Sequence, residues 1–370
     1  MNNSPVTIIV VPRERYQFAR ESLESLYENT TCLFDLIYVD NNSPARLRQY
    51  LEVQAEVKGF KLVKSDRYLS PNQARNLGLA YVRSKYVVFV DNDVIFAPNW
   101  LTALVDCTEA TGATVVGSLV CQYQPFHEIV HCAGGEYMSA KEYAEFRLGL
   151  PRPSDCGCEA SPKDSASRRH RPGWQIEEKT PYQNRRIEEV SDRLKREPTG
   201  FVEFHSMLVR TEIFDRIGLL DEKFACTKEY LDFAMSVVRV GGTIYVEPAS
   251  IVTFRTHPPA PTLNWSDLPY FMLRWSDAWE LSNLDHFQQK WNLESSAYFQ
   301  RRYKKLGKRR REALIDPLVA KLGFLGKKRQ KWFKKRLIKL EKRLNRYLTN
   351  RYTKSDRIEV NRLLQLTTNN

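Results

Sequence analysis

The sequence predicts an α/β protein, a mostly parallel sheet flanked by helices, with a helical basic extension at its C-terminal end. Three observations carry this. Short apolar runs alternate with helix-period stretches over the first 120 residues. Acidic clusters follow directly after two of those runs. Residues 301–346 hold 20 lysines and arginines against three acidic residues, Glu312, Asp316 and Glu341. The chain has 370 residues, of which 42% are apolar and 12% aromatic, enough for a sizeable core and too many for a disordered or fibrous chain.

The strand-like runs are 6–11, 34–39, 60–63, 86–90 and 114–116. Between them, Phe18, Ala19, Leu23, Leu26 and Tyr27 fall on one helical face. Ala74, Leu77, Ala80 and Tyr81 form a second such face, and Trp100, Ala103 and Leu104 a third, with Pro98 at its first turn. Strands and helices of these lengths in alternation imply βαβ units. From 140 to 198 the periodicity fades and Pro, Ser, Arg and Glu increase, so this segment is an insertion or substrate loop, partly helical around 187–194. Regular structure returns at 201–210, then helical turns at 213–217, a helix over 229–240 stopped by Gly241-Gly242, and a strand over 243–246 before Pro248. Residues 261–300 form an aromatic-rich helical cover, with Trp265, Trp275, Trp279 and Trp291. The domains are then 1–260, this cover, and a basic amphipathic tail at 301–370.

No stretch of ~18 apolar residues suggests a transmembrane helix, and the N-terminus opens straight into a strand, so no signal peptide is expected. The seven cysteines are scattered, without a zinc-type spacing, which suits a reduced, cytoplasmic setting.

In parallel sheets ligands sit beyond the C-terminal strand ends. Here those ends carry Asp40-Asn41-Asn42-Ser43 and Asp91-Asn92-Asp93. Asp and Asn also terminate strands and cap helices, a sufficient reason for Asp40 taken alone. Asp91 and Asp93 together repel one another unless a cation lies between them. Asp-x-Asp offers the hard oxygen donors that suit Mg²⁺ or Mn²⁺.

In the order of its motifs, the chain resembles a family 2 glycosyltransferase of the GT-A fold, a Rossmann-like nucleotide-diphospho-sugar transferase, over roughly residues 4–255. The resemblance rests on the opening strand, Tyr38-Val39-Asp40-Asn41-Asn42-Ser43, Asn72-Gln73-Ala74-Arg75-Asn76-Leu77-Gly78, Val88-Phe89-Val90-Asp91-Asn92-Asp93, Leu208-Val209-Arg210, Ile217-Gly218-Leu219-Leu220-Asp221-Glu222 and Tyr245-Val246-Glu247-Pro248. It implies metal-dependent, inverting transfer of a sugar from a nucleotide-diphosphate-sugar donor to a hydroxyl of a glycan or lipid-linked acceptor. It implies that Asp40 bonds the nucleobase, that Asp66 and Arg75 hold the nucleotide, and that Asp93, with Asp91 beside it, holds Mn²⁺ or Mg²⁺ on the diphosphate. Asn92 lies within the same motif.

Two stretches depart from the family's pattern. The acidic pair expected for the general base reads Lys228-Glu229-Tyr230-Leu231-Asp232, so Glu229 is the expected base and Asp232 the alternative. Either one could instead favour the helix N-terminus. After the first strand, Pro12-Arg13-Glu14-Arg15 replaces the usual Pro-Thr or Pro-Ser. Pro12 and Arg13 should still lie at the donor crevice, with Arg13 or Arg15 on a phosphate or an acidic sugar, or simply solvated. His257 stands a few residues beyond the family's usual metal-binding histidine. These departures also leave open a catalytically inactive binding protein of the same fold.

His127-Glu128-Ile129-Val130-His131 matches the HExxH zinc-protease pattern, but Pro125 and Gly134-Gly135 deny it the helix that pattern requires. His131 and His205 stay as acceptor-site or structural residues.

In the tail, Trp332, Phe333, Leu337, Leu340, Leu344 and Leu348 recur at helical spacing among lysines and arginines. Three readings follow: an interfacial helix on an anionic membrane surface, nucleic-acid binding, or a helix packed on the body with a solvated basic face. Since crevice and base lie before residue 260, the tail is expected to be dispensable for activity on a soluble acceptor. Asp93, at a strand end, is expected to be replaceable without loss of fold.

Overall fold

The computed structural model describes residues 5–148, 173–255 and 263–367. The chain begins with β1 (Val6–Val11), a 3₁₀ turn at Tyr16–Phe18 and α1 (Ala19–Glu28). β2 (Asp35–Asn41), α2 (Ala45–Lys58), β3 (Lys61–Ser65), α3 (Pro71–Leu79) and β4 (Tyr86–Asp91) complete the first half. β5 (Val94–Phe96), α4 (Trp100–Thr111), β6 (Val115–Gln122), β7 (Val130–Cys132), α5 (Ala140–Arg147), α6 (Ile187–Val190), β8 (Glu197–Pro198), β9 (Ser206–Arg210), α7 (Phe214–Ile217), α8 (Glu229–Arg239) and β10 (Ile244–Phe254) make the second. The strands join one sheet in the order β3-β2-β1-β4-β9-β6-β10-β5, with β7 on β6 and β8 on β10. β3, β2, β1 and β4 are parallel, as are β6 and β10, and β9 runs antiparallel between the two groups. The expected α/β class, a mostly parallel sheet flanked by helices, is what the chain adopts.

β1 and β4 are almost wholly apolar, Thr7 and the terminal Asp91 apart, because helices cover both faces, and every residue of both strands is buried. α3 shows how the helices seat. Ser70 and Gln73 form a capping box and Pro71 takes the first turn. A Cβ on Gly78 would meet Ile9 Cγ2 at 2.7 Å, so only glycine lets this helix lie on β1.

The structure departs from the sequence expectation at three places. Pro98 precedes the α4 cap rather than opening its first turn, because Asn99 caps that helix in the left-handed region, φ 64°. α2 has no counterpart in the expected helices, since it buries little besides Leu51 and so has almost no apolar stripe. β10 continues past Pro248 to Phe254, because a bulge between Glu247 and Ile251 takes the proline out of the ladder. Of the 140–198 segment, α5 and α6 lie among the described residues.

The cover consists of α9 (Leu268–Arg274), α10 (Asp277–Lys290) and α11 (Ala297–Lys304). α12 (Lys308–Arg310), a π turn at Arg311–Ile315, α13 (Asp316–Ala320) and the 42-residue α14 (Gly326–Thr367) follow. The tail packs on the body: Arg310, fully buried, pairs with Glu341 at 2.6 Å and Asp277 at 2.7 Å, and Asn345 donates to the Met272 carbonyl at 2.7 Å. The packed face of α14 is polar (Glu341, Asn345, Thr349), whereas Trp332, Leu340 and Tyr347 are 53%, 63% and 60% exposed. This inverts the usual arrangement of a surface helix. Among the described residues no helix is long and apolar enough to cross a membrane.

Candidate active site

Parallel pairing brings the C-terminal ends of β1, β2, β3 and β4 to one edge. The register sets Val11 opposite Asp91, which lays the loop 12–15 along Asp91-Asn92-Asp93. Asn92 Oδ1 accepts the Arg13 backbone N–H at 2.7 Å and fastens that loop. Pro12 is buried at its start. Arg15 is held at φ 74°.

The cation that two adjacent carboxylates require is present in the chain itself. Arg13 donates to Asp91 Oδ2 at 2.6 Å, and Arg15 to Asp93 Oδ2 at 2.7 Å. His205 Nδ1 is also 2.8 Å from Asp91 Oδ2, and Arg75 lies 3.7 Å from Asp91 Oδ1. Asp91, Asn92 and Asp93 are all fully buried. Burial opposes ionisation of Asp91, but Arg13 and His205 outweigh it and hold that carboxyl well below the usual range. Burial, with Asp91 alongside, pushes Asp93 up despite Arg15. Asp93 is therefore buried and ion-paired, no exposed strand end, and the premise on which its replacement was expected to spare the fold does not hold.

Arg75 Cζ lies over the Phe204 ring, 3.8 Å from its centroid, and the guanidinium donates to Asn72 Oδ1 at 3.1 Å. Burial lowers its pKa to about 10. With Arg13 and Arg15 it leaves the cluster one positive charge in excess over Asp91 and Asp93, the balance of an anion site. Asp91 Oδ1 and Asp93 Oδ1 are buried without hydrogen-bond partners. These two hard oxygens fit a divalent cation, provided that another anion engages the guanidinium groups.

Asp40, fully buried, accepts from the Ser43 N–H at 2.9 Å and from Arg48 Nε at 2.6 Å. Arg48 reaches Asp66 as well, at 3.2 Å. The two acids expected at the nucleotide thus share one arginine from α2, which sequence reasoning missed along with its helix.

The two candidate bases part company. Glu229, at the start of α8, lines a cleft of about 540 Å³, and its Oε2 is buried without a partner. Asp232 turns away, accepting from Trp291 Nε1 at 2.8 Å and from Lys290 at 2.8 Å. It fastens α8 to the end of α10. His257 lies outside the described residues.

Eight basic and five acidic side chains face the cleft, among them Arg302, Lys305, Lys308 and Arg309 from the start of the basic segment. The expectation that the crevice lies wholly before residue 260 is corrected by this wall, since α11 and α12 fold back over it. Glu178 ties the wall down by accepting from Lys228 at 2.6 Å, Tyr298 at 3.0 Å and Arg302. Glu14 does the same for the loop after β1, accepting from Arg274 at 2.7 Å and Trp275 at 2.9 Å. Neither acid stands in a recognisable motif, because each gains its partners only through contacts far along the chain.

The HExxH segment is not a helix. His127, at φ 63°, bonds Thr253, and Glu128 pairs with Arg186 at 2.6 Å. His131 lies on β7 and faces the cleft instead.

A sheet whose parallel strand ends hold an arginine-rich, carboxylate-bearing cleft is the frame of a nucleotide-dependent transferase. Residues 7–218 match Glycosyl transferase family 2, and the chain belongs to that family. A curated relative, "Uncharacterized protein y4gI" of Sinorhizobium fredii (strain NBRC 101917 / NGR234), is 27% identical over 136 residues, which is 35% of this chain and 15% of that protein. Among solved structures, GalNAc-T7 with UDP, GalNAc and Mn²⁺ superposes with a TM-score of 0.48 at 16% identity, covering 82% of this chain and 56% of that one. S. aureus TarS 1–349 does so with a TM-score of 0.44 at 14% identity, covering 83% and 71%.

Proposed function

We propose that the chain transfers a hexosyl group from a nucleoside-diphosphate sugar to a hydroxyl acceptor, with inversion. The observation that carries this reading is the pairing within one cleft of Glu229, a buried carboxylate oxygen without a partner, and three guanidinium groups, Arg13, Arg15 and Arg75. The arginines bind the diphosphate and Glu229 takes the proton of the attacking hydroxyl. Asp40 and Asp66, with Arg48 between them, stand at the nucleobase and ribose end. Asp91 and Asp93, whose Oδ1 atoms lack hydrogen-bond partners, would hold Mn²⁺ or Mg²⁺ when the arginines engage the diphosphate, and His257 would join them only by its place in the sequence. The metal offsets charge on the leaving diphosphate. A thermal-shift screen of nucleoside-diphosphate sugars, with and without Mn²⁺, tests the donor. Mn²⁺-dependent turnover by the wild type that is lost in Glu229→Gln separates an enzyme from a binding protein.

The outward apolar stripe of α14, set among lysines and arginines, favours an anionic membrane surface as a further partner, which suits a glycan or lipid-linked acceptor and a place on the inner face of a membrane.

A further inference from the structure

His131, Glu203 and His205 come together on the inner wall of the cleft, from β7 and from the stretch leading into β9. One ligand atom from each lies within 4.8 Å of the other two. His131 Nε2 is 3.1 Å and His205 Nε2 3.5 Å from Glu203 Oε2, which is buried and has no hydrogen-bond partner.

The far nitrogen of each ring fixes what the near one can do. His131 Nδ1 is 3.0 Å from Gln122 Oε1, and the Gln122 amide is oriented by its own donation to Asn184 Oδ1 at 2.6 Å. An amide oxygen only accepts, so the His131 proton sits on Nδ1. His205 Nδ1 faces Asp91 Oδ2 at 2.8 Å, an oxygen that also accepts from Arg13, so Asp91 orients the ring and leaves Nε2 turned toward Glu203. Both Nε2 atoms then converge on one carboxylate oxygen. In neutral imidazoles these are three acceptors turned toward one another, an arrangement that a bound cation satisfies. Two imidazoles oriented by outside acceptors and joined by one carboxylate form the donor set and supporting shell of a transition-metal site.

We propose that His131, Glu203 and His205 bind one divalent transition-metal ion, with Zn²⁺ fitting the donor set, and that Gln122 and Asp91 are its positioning residues. This site differs from the all-oxygen pair of Asp91 and Asp93, which suits Mn²⁺ or Mg²⁺. All three residues line the cleft in which the proposed reaction takes place. Its existence does not rest on that reaction.

The test uses full-length, chelator-treated protein without donor. Equilibrium dialysis against Zn²⁺ should give about one tightly held ion per chain, and Co²⁺ should give the intense visible absorption of low-coordinate cobalt. His131→Ala and His205→Ala should each remove the ion and the spectrum. Gln122→Ala, which leaves all three ligands in place, should weaken binding by about 10–100-fold. Asp93→Asn should retain both. Wild-type protein that binds no Zn²⁺, or a Gln122→Ala or His131→Ala variant that binds it as tightly as wild type, overturns the site. The reading as protonated histidines paired with Glu203 would then stand in its place. Loss of sugar transfer with Zn²⁺ binding intact would count against the proposed function and not against this site.

Discussion

Arg13 and Asp91 meet at 2.6 Å across the ends of two neighbouring parallel strands, and Arg15 and Asp93 repeat the contact at 2.7 Å two residues on. The carboxylates of the Asp-x-Asp motif are thus held in the folded chain by its own cations. Removing one member strands a buried charge, so these positions bear on stability as well as on binding.

Replacing Asp93 with Ala should therefore destabilise the fold, by about 3–5 kcal/mol, the usual cost of breaking a buried ion pair from one side. Urea denaturation should show it, and the double variant Asp93→Leu/Arg15→Met should recover part of the loss. A single variant as stable as wild type would mean that the pair is not formed in solution.

Glu229→Gln should leave nucleotide binding in place and lower transfer by about 10²-fold or more. Asp232→Asn should act differently. It weakens the bonds to Lys290 and Trp291, so the melting temperature should fall while kcat changes less. Initial rates on a soluble acceptor, read beside thermal melts, separate the two. A large kcat loss in Asp232→Asn at unchanged stability would exchange the roles.

Acid should loosen the cleft wall through Glu178. Burial alone would raise its pKa, but Lys228 and Arg302 outweigh that and hold it at about 2, below the ordinary 4.5. A depressed carboxylate contributes stability that is fully present above the ordinary value and is lost as pH falls toward the folded one. Urea midpoints should therefore fall between about pH 5 and pH 2, and Glu178→Gln should flatten that slope. An unchanged slope in the variant would assign the acid sensitivity to other groups.

Deleting 301–370 should weaken donor binding, because Arg302, Lys305, Lys308 and Arg309 leave the cleft with it while Arg13, Arg15 and Arg75 remain. Trp332→Ala/Leu340→Ala/Leu344→Ala touches only the outward face of α14. It should keep fold and activity while losing the binding to anionic liposomes that survives high salt, where the Debye length is ~3 Å at 1 M. Co-sedimentation across a salt series reads this directly. Retention of nucleic acid but not of liposomes would point the basic face to another partner.

The strands of the parallel first half were legible because strands buried on both faces are mostly apolar, and β1 and the start of β4 fall where the sequence alone sets them, whereas the short β5, β7 and β8 offered no such run. The Asp-x-Asp motif was visible in the sequence because charged residues at a strand end mark themselves against an apolar run, and Glu229 was visible through the family resemblance. The partners of these residues were not. Arg48 stands on a helix without an apolar stripe, and Glu14, Glu178, Glu203 and His205 sit in stretches whose local pattern says nothing of charge pairing. His131 drew notice only through a protease pattern that its strand rules out. Periodicity reports which face of an element is buried, and that is a local property. Which cation neutralises which carboxylate, and that a basic tail closes the cleft, depends on contacts between residues as far as 260 positions apart, as in Arg274 with Glu14. Only the folded chain brings such residues within hydrogen-bond reach, and so only the tertiary structure decided the site's charge.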